Sequence, residues 1–533
     1  MKKALFMLLL AVLAMPAAGC LHTRPPGSIH AAVWSDGTWL RDARGRVMII
    51  HGMNVSEVAK HPPYLPFTTT SMSVSQTASV FAGLAHEGFD GVRLIVEWAA
   101  LEPTPGTFDE GYLDQVQTEV DDCAAAGLWV LLDMHQDVFS KCFCYAGNGV
   151  STACGTTGGI AYDEANQTYS NGAPPWACDL AGYSPGECNC VWALNYMLPQ
   201  VMQSFQDLWD DAPAPDGTGL QEHYVASWQR IAARFKDDTD VLGYEIMNEP
   251  FPGQYPLLTT EFEQKGLAPF YEKVARGIRQ VDPVHVITFE PSATLSNTLN
   301  DYATGISLTT FPERFADLVF TPHFYALSSN PSGGTQTATI IPSFNTISSV
   351  SRYMRTPWLI DEMGTDYNSP GSAEYMVTLL NTFDDYNEGW FDWSYDIAYN
   401  LSMSPFYPDG TPRSLLDQGG SPVFHGIDVL SRPYPMLTAG TPMSMSYPIT
   451  SDPASFSTTT FTYTYREDGI GHGSTEIFLP RTHFPDGFTV TTSDGSVSFD
   501  TSTDVLSYTK GPDAVHRISI APCNAADSNC MGF

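Results

Sequence analysis

Apolar positions along this chain alternate between two spacings. Short runs that are apolar on both faces, at 47–55, 91–96, 128–134, 241–247, 284–289, 318–324, 358–362 and 389–395, predict eight buried strands. Between most of them the segments 78–86, 112–126, 224–235, 267–281 and 373–386 carry apolar residues every three or four positions, as helices with one buried face do. Strands alternating with helices in this way predict an α/β fold, a (β/α)8 TIM barrel. A β-hairpin, 34–39 with 42–47, leads into the first strand. Past Arg432-Pro433-Tyr434-Pro435 the spacing changes to strict alternation at 459–465, 475–479, 488–491 and 516–520, with Asp-Gly turns between, which predicts an appended C-terminal β-sandwich. The expected organisation is an export signal at 1–20, a catalytic barrel at 28–435 and a sandwich at 440–522.

The two ends and the cysteines bear on compartment. Met1-Lys2-Lys3, an uncharged apolar run and then Ala17-Ala18-Gly19-Cys20 read as a bacterial-type export signal, too short to span a bilayer. Cys20 follows small residues as in a lipobox, although Ala17 stands where leucine is usual. A secreted protein and one lipid-anchored through Cys20 both fit. Six cysteines, Cys142, Cys144, Cys154, Cys178, Cys188 and Cys190, crowd a Gly-rich loop at 138–191. With Cys523 and Cys530 they predict four disulfides in an oxidising compartment. A zinc site is the competing reading, disfavoured because zinc ribbons prefer two residues between paired cysteines. Cys123, in an apolar stretch, is expected as a buried free thiol. A formal charge of -34 counts against nucleic-acid binding, which needs basic residues to neutralise phosphates, and reads as a solubilising surface.

Candidate chemistry follows from the barrel rule that polar residues at the C-terminal strand ends face the active site. Strand by strand this selects Asn54, Arg93, His135-Gln136-Asp137, Asn248-Glu249-Pro250, Glu290, His323-Phe324-Tyr325, Glu362 and Trp393. Each alone has an ordinary explanation: a structural histidine, a buried ion pair, a solvated acid. Together they resemble what cleavage of a glycosidic bond requires, an acid for the leaving oxygen and a carboxylate facing the anomeric carbon. Strands four and seven lie across the mouth, so Glu249 and Glu362 are expected to oppose each other as in retaining enzymes. Arg93 would keep Glu362 ionised, Asn248 would meet the sugar 2-hydroxyl, and Trp393 would stack on the sugar ring.

Val241-Leu-Gly-Tyr-Glu-Ile-Met-Asn-Glu-Pro250 and Trp358-Leu359-Ile360-Asp361-Glu362-Met363-Gly364 resemble glycoside hydrolase family 5. Within it, four further motifs are similar to those of the endoglycoceramidases. These are Leu132-Asp-Met-His-Gln-Asp-Val-Phe139, Asn171-Gly-Ala-Pro-Pro-Trp-Ala177, Asn248-Glu-Pro-Phe-Pro-Gly253 and Arg432-Pro-Tyr-Pro435. The resemblance implies hydrolysis of the β-linkage between the intact glycan of a glycosphingolipid and its ceramide. It implies Glu249 as acid/base and Glu362 as nucleophile, with Lys60 and Asp137 on the sugar beside the scissile bond. Asn248, Tyr325 and Trp393 complete that subsite, and neither metal nor cofactor is implied; His135 and His323 join the substrate-binding set from the strand-end rule. The expected partner is a glycosphingolipid at a membrane or micelle surface, met by a monomer. A β-glucosylceramidase, a steryl glucosidase or an endo-β-glucanase of the same family are the alternative enzymes, and a carbohydrate-binding protein on an inactive barrel the alternative class. The Cys-rich insertion departs from the family pattern. Apolar loops at 62–67 and 250–258 suit either a lipid aglycone or packing against neighbouring loops.

Overall fold

The computed structural model describes residues 33–55, 57–60, 62–66, 74–143, 170–183, 192–257, 259–296, 316–325, 337–365, 371–395, 414–416, 422–524 and 529–533. The export signal, Cys20 and four loop cysteines (Cys144, Cys154, Cys188 and Cys190) lie outside the described residues, as do Phe67 and Leu258 of the two apolar loops.

The eight barrel strands, numbered here from first to eighth, are His51–Val55, Gly91–Glu97, Trp129–His135, Val241–Glu245, Val286–Phe289, Leu318–Phe320, Ile360–Met363 and Trp390–Tyr395. They form one parallel sheet, the eighth strand pairing with the first. Parallel bridges Phe320 to Trp358 and Phe324 to Met363 close the seam between the sixth and seventh strands. Every residue of all eight strands is buried, which is why their sequences are apolar on both faces. The connecting helices include Glu110–Ala126, capped at its start by Asp109 and stopped by Gly127 in the left-handed region. The helices Pro199–Trp209 and Thr337–Met354 were not among the patterned segments singled out above. Among the described residues no helix is long and apolar enough to cross a membrane.

The run at 47–55 is not one strand. Val47–Met48 pairs with Tyr434–Thr438, and Ile49 donates its N–H to Met436 at 3.2 Å, so the barrel strand begins only at His51. The N-terminal hairpin and Val47–Met48 thereby enter a seven-stranded sheet with Tyr434–Thr438, Thr475–Phe478, Val505–Thr509 and Ser496–Asp500. A four-stranded antiparallel sheet, Thr441–Ser446, Phe461–Arg466, Val515–Pro522 and Phe488–Thr492, completes the C-terminal module. Val33, Leu40 and Ile50 join Trp129, Leu131, Leu242 and Val286 in a core cluster at the N-terminal ends of the strands. The hairpin thus plugs the end of the barrel that serves stability, leaving the C-terminal rim for chemistry.

Arg432-Pro-Tyr-Pro435 joins the module to the barrel. Arg432 is fully buried, ion-paired to Asp384, and donates to Asn381 and to the carbonyl of Tyr447. Tyr434 stacks on His51 with ring centroids 3.6 Å apart and donates its hydroxyl to Gly88. Gly88 needs to be glycine: its φ is +88° and a Cβ there would lie 2.0 Å from the Phe478 ring.

Cys523 and Cys530 are disulfide-bonded, and Cys123 is a buried thiol, both as expected. Cys142 and Cys178 depart from the expectation: both are free thiols, and they sit against each other. The apolar loops turn part of their described length inward, with Pro62, Pro63 and Pro256 left exposed. Tyr64, Leu65 and Phe251 are buried, and Phe251 lies against Tyr196 and Phe205.

Candidate active site

Charge at the C-terminal rim is organised around one guanidinium. Arg93 points into the barrel from the second strand and is completely buried. Its Nε and Nη2 donate to both oxygens of Glu245 at 2.6 and 2.9 Å, and its Nη1 to Glu362 at 2.7 Å and Asn54 at 2.9 Å. Nη2 also reaches Asn248 at 2.9 Å and lies 3.0 Å from Asp133. A planar fork with five donors is the side chain suited to hold several carboxylates in fixed positions.

Glu362, in the seventh strand, receives Arg93 on one oxygen and the hydroxyl of Tyr325 on the other at 3.0 Å. Burial alone would raise its carboxyl. His323, Arg93, His135 and Lys60 outweigh burial and hold it below the usual carboxylate range. Glu249 follows the fourth strand, with φ at +42°, a left-handed backbone unusual for a side chain of this size. Oε1 of Glu249 lies 3.0 Å from Nδ1 of His323. Carboxylate oxygens of Glu249 and Glu362 lie within 4.8 Å of each other and of that imidazole. That approach is compatible with the roughly 5–5.5 Å between the two carboxyl groups of retaining glycosidases.

His323 faces four carboxylates: Glu249 and Glu362 on its Nδ1 side, Glu290 and Asp361 on its Nε2 side. Burial would lower this ring, but the charges of Glu290 and Glu362 and the bonds to Glu249 and Glu290 raise it well above an ordinary histidine. Asn248 is buried; its Oδ1 accepts from Arg93 and its Nδ2 donates to the Gln136 carbonyl at 3.0 Å, which leaves one amide hydrogen for a ligand.

A second group flanks the pair. Asp137 accepts Lys60 at 2.7 Å and Asn171 at 2.7 Å, and His135 lies 3.4 Å away. Burial would raise the Asp137 carboxyl, but Lys60 and His135 depress it far below its usual range. Burial and Lys60 would lower His135, but Asp133, 2.6 Å from Nδ1, and Asp137 push it up to about 9. Trp393 lies parallel to His135 with ring centroids 5.7 Å apart, and the Lys60 ammonium sits 4.2 Å from the indole centroid.

The structure therefore brings every anticipated residue to one rim: Lys60, Arg93, His135, Asp137, Asn248, Glu249, His323, Tyr325, Glu362 and Trp393. Glu97, Glu245, Gln136 and Asn171 had been assigned no role, yet they hold the site. Glu97 accepts the N–H of Gly172 at 2.7 Å, fixing the segment that carries Asn171, and burial pushes its carboxyl up to about 8. Gln136 donates to the carbonyls of Asn248 and Glu249. Trp176, in the same motif as Asn171, is anchored to the carbonyl of Glu102 at 3.0 Å. Two buried triads, Glu245–His323–Asp361 and Glu249–His323–Glu362, have metal-like donor spacing. Arg93 pairs with Glu245 and Glu362 and His323 faces Glu249, Glu362 and Asp361, so two cations of the chain itself partly offset these four carboxylates.

Known proteins carry the same architecture. The chain is similar to endoglycoceramidase I of Rhodococcus hoagii, 28% identical over 89% of this chain and 85% of that protein. It is also similar to an endoglycoceramidase of Hydra vulgaris, 27% identical over 84% of this chain and 80% of that protein. A solved endo-glycoceramidase II from Rhodococcus sp., described as a ganglioside GM3 complex, superposes with a TM-score of 0.74 at 28% identity. That match covers 92% of this chain and all of that one. Residues 42–398 match the model of cellulase (glycosyl hydrolase family 5), and residues 432–520 match the glycoside hydrolase family 5 C-terminal domain. With the opposed glutamates, the Arg93 fork and both modules in place, the chain belongs to glycoside hydrolase family 5.

Proposed function

We propose that the protein is a retaining endoglycoceramidase that hydrolyses the β-linkage between the intact glycan and the ceramide of a glycosphingolipid. The observation that carries this is the approach of the Glu249 and Glu362 carboxylates to within 4.8 Å across the catalytic rim, in a chain similar along its length to endoglycoceramidases. Glu362, kept ionised by Arg93, attacks the anomeric carbon. Glu249 gives its proton to the glycosidic oxygen, so ceramide leaves as a neutral alcohol and the glycan becomes an ester on Glu362. Glu249 then takes a proton from water as that water attacks the anomeric carbon; free glycan departs and both carboxyls return to their starting states. Asn248 meets the 2-hydroxyl, where hydrogen bonding strengthens as the ring becomes cation-like. Lys60, Asp137, His135, His323, Tyr325 and Trp393 hold the sugar next to the scissile bond. No group beyond these side chains is required by the cycle.

The export signal supports placing the protein outside the cytoplasm, secreted or held by a lipidated Cys20, where a monomer meets substrate at a membrane or micelle surface. The test is incubation with a ganglioside, lactosylceramide and glucosylceramide in detergent. Release of whole oligosaccharide and free ceramide is the expected result. Stepwise loss of single sugars would refute the reading, and cleavage of glucosylceramide alone would instead select a β-glucosylceramidase or steryl glucosidase.

A further inference from the structure

Residues from three successive strand ends close a ring around Glu249. Glu290, just past the fifth strand, accepts the backbone N–H of Glu249 on Oε1 at 2.8 Å. The same oxygen lies 3.3 Å from Nε2 of His323, and Nδ1 of His323 lies 3.0 Å from Oε1 of Glu249. One carboxylate thus holds the Glu249 backbone by a hydrogen bond and stands within ion-pair range of the imidazole that meets the Glu249 side chain.

The backbone hold is needed because Glu249 sits at φ +42°, a conformation that persists only where its surroundings over-determine it. Gln136 secures the carbonyl of Glu249 at 2.9 Å, and Glu290 secures its N–H. Glu290 is itself wholly buried, with its own carbonyl taking the hydroxyl of Tyr271 at 3.1 Å. It stands on the Nε2 side of His323, whereas the Glu249 and Glu362 carboxyls stand on the Nδ1 side.

We propose that Glu290 is a positioning residue for the acid/base step, aiming the Glu249 carboxyl at the glycosidic oxygen through the Glu249 N–H and through His323. This rests on the reading of Glu249 as the acid/base. The hold also gives the carboxylate at the fifth strand end a task.

The test compares two β-lactosides that do not depend on ceramide. Dinitrophenoxide leaves without a proton, whereas octanol needs one. For Glu290→Ala, kcat/KM on octyl lactoside is expected to fall about 100-fold, the low end of what a general acid contributes. On dinitrophenyl lactoside kcat/KM stays within about threefold of wild type, while kcat and KM fall together because Glu249 is also needed as the base for deglycosylation. Glu290→Gln retains an oxygen for both N–H groups and recovers most of the octyl lactoside activity. If Glu290→Ala does not fold, Glu290→Asp, which keeps the charge but withdraws the acceptor, is expected to show the same leaving-group dependence. Equal losses on both substrates, no loss on either, or a Gln variant as impaired as Ala would overturn the proposal. Glu249→Ala separates the two readings. If it lacks leaving-group dependence, the acid/base assignment fails. If it shows that dependence and the Glu290 variants do not, the positioning role alone fails.

Discussion

Replacing Arg93 by lysine keeps the charge and removes the fork, so it tests whether geometry or charge organises the rim. The guanidinium makes five hydrogen bonds, to Glu245 twice and to Glu362, Asn54 and Asn248 once each. An ammonium has three donors, so at least two of these are lost inside the barrel. Hydrogen bonds to charged groups are worth about 1.5–3 kcal/mol each, which puts the cost at about 3–6 kcal/mol. That is a large share of a typical total of about 5–15 kcal/mol. The kinetic effect has a definite sign. Arg93 depresses the proton affinity of Glu362, and an ammonium held by Glu245 cannot also sit 2.7 Å from Glu362. The nucleophile then protonates at a higher pH, and the acid limb of the kcat/KM profile moves upward. Urea denaturation at neutral pH and a pH–rate profile on an aryl lactoside measure the two effects. An Arg93→Lys enzyme of wild-type stability with an unmoved acid limb would refute the reasoning.

Three further outcomes are expected. Glu97 has a folded-state pKa raised from the ordinary 4.5 to about 8, so the folded protein binds the extra proton and stability falls as pH rises between those values. Glu97→Gln removes that slope while keeping an oxygen for the Gly172 N–H; urea midpoints that track wild type at both pH 5 and pH 8 would tell against it. Arg432→Met leaves the buried Asp384 without its cation and is expected to cost about 3–5 kcal/mol. An unchanged urea midpoint would mean that this ion pair does not join barrel and sandwich. Asp137→Asn loosens Lys60 and His135, and should raise KM for lactosides about tenfold or more, from the about 1.5–3 kcal/mol of a charged hydrogen bond, with a smaller effect on kcat; a loss confined to kcat would remove Asp137 from sugar binding.

The barrel was legible because parallel strands buried on both sides leave long apolar runs, and the strand-end rule then led to both glutamates. The run at 47–55 was misread as one strand because both of its halves are buried, and spacing cannot show a chain passing from one sheet to another. Glu97 was within reach: it lies four residues after Arg93, on the same inward face of the second strand, and it ends that strand. Asp133, two residues before His135, likewise shares its face of the third strand. Asn171 is 34 residues from the Asp137 it binds, so only the tertiary fold reveals the contact. Arg432-Pro-Tyr-Pro435 carried part of the family resemblance yet sits at the join between modules. A shared motif can mark the frame as readily as the chemistry.

The central claim is that Glu362 is the nucleophile of a retaining cycle shared with Glu249. A β-lactoside fluorinated at the sugar 2-position, with a reactive leaving group, destabilises the transition state and slows deglycosylation enough to trap the glycosyl-enzyme. Proteolysis and mass spectrometry then locate the adduct. A single lactosyl adduct on Glu362, formed as activity is lost, is the predicted result; an adduct on another residue, or inactivation without any adduct, would contradict the account.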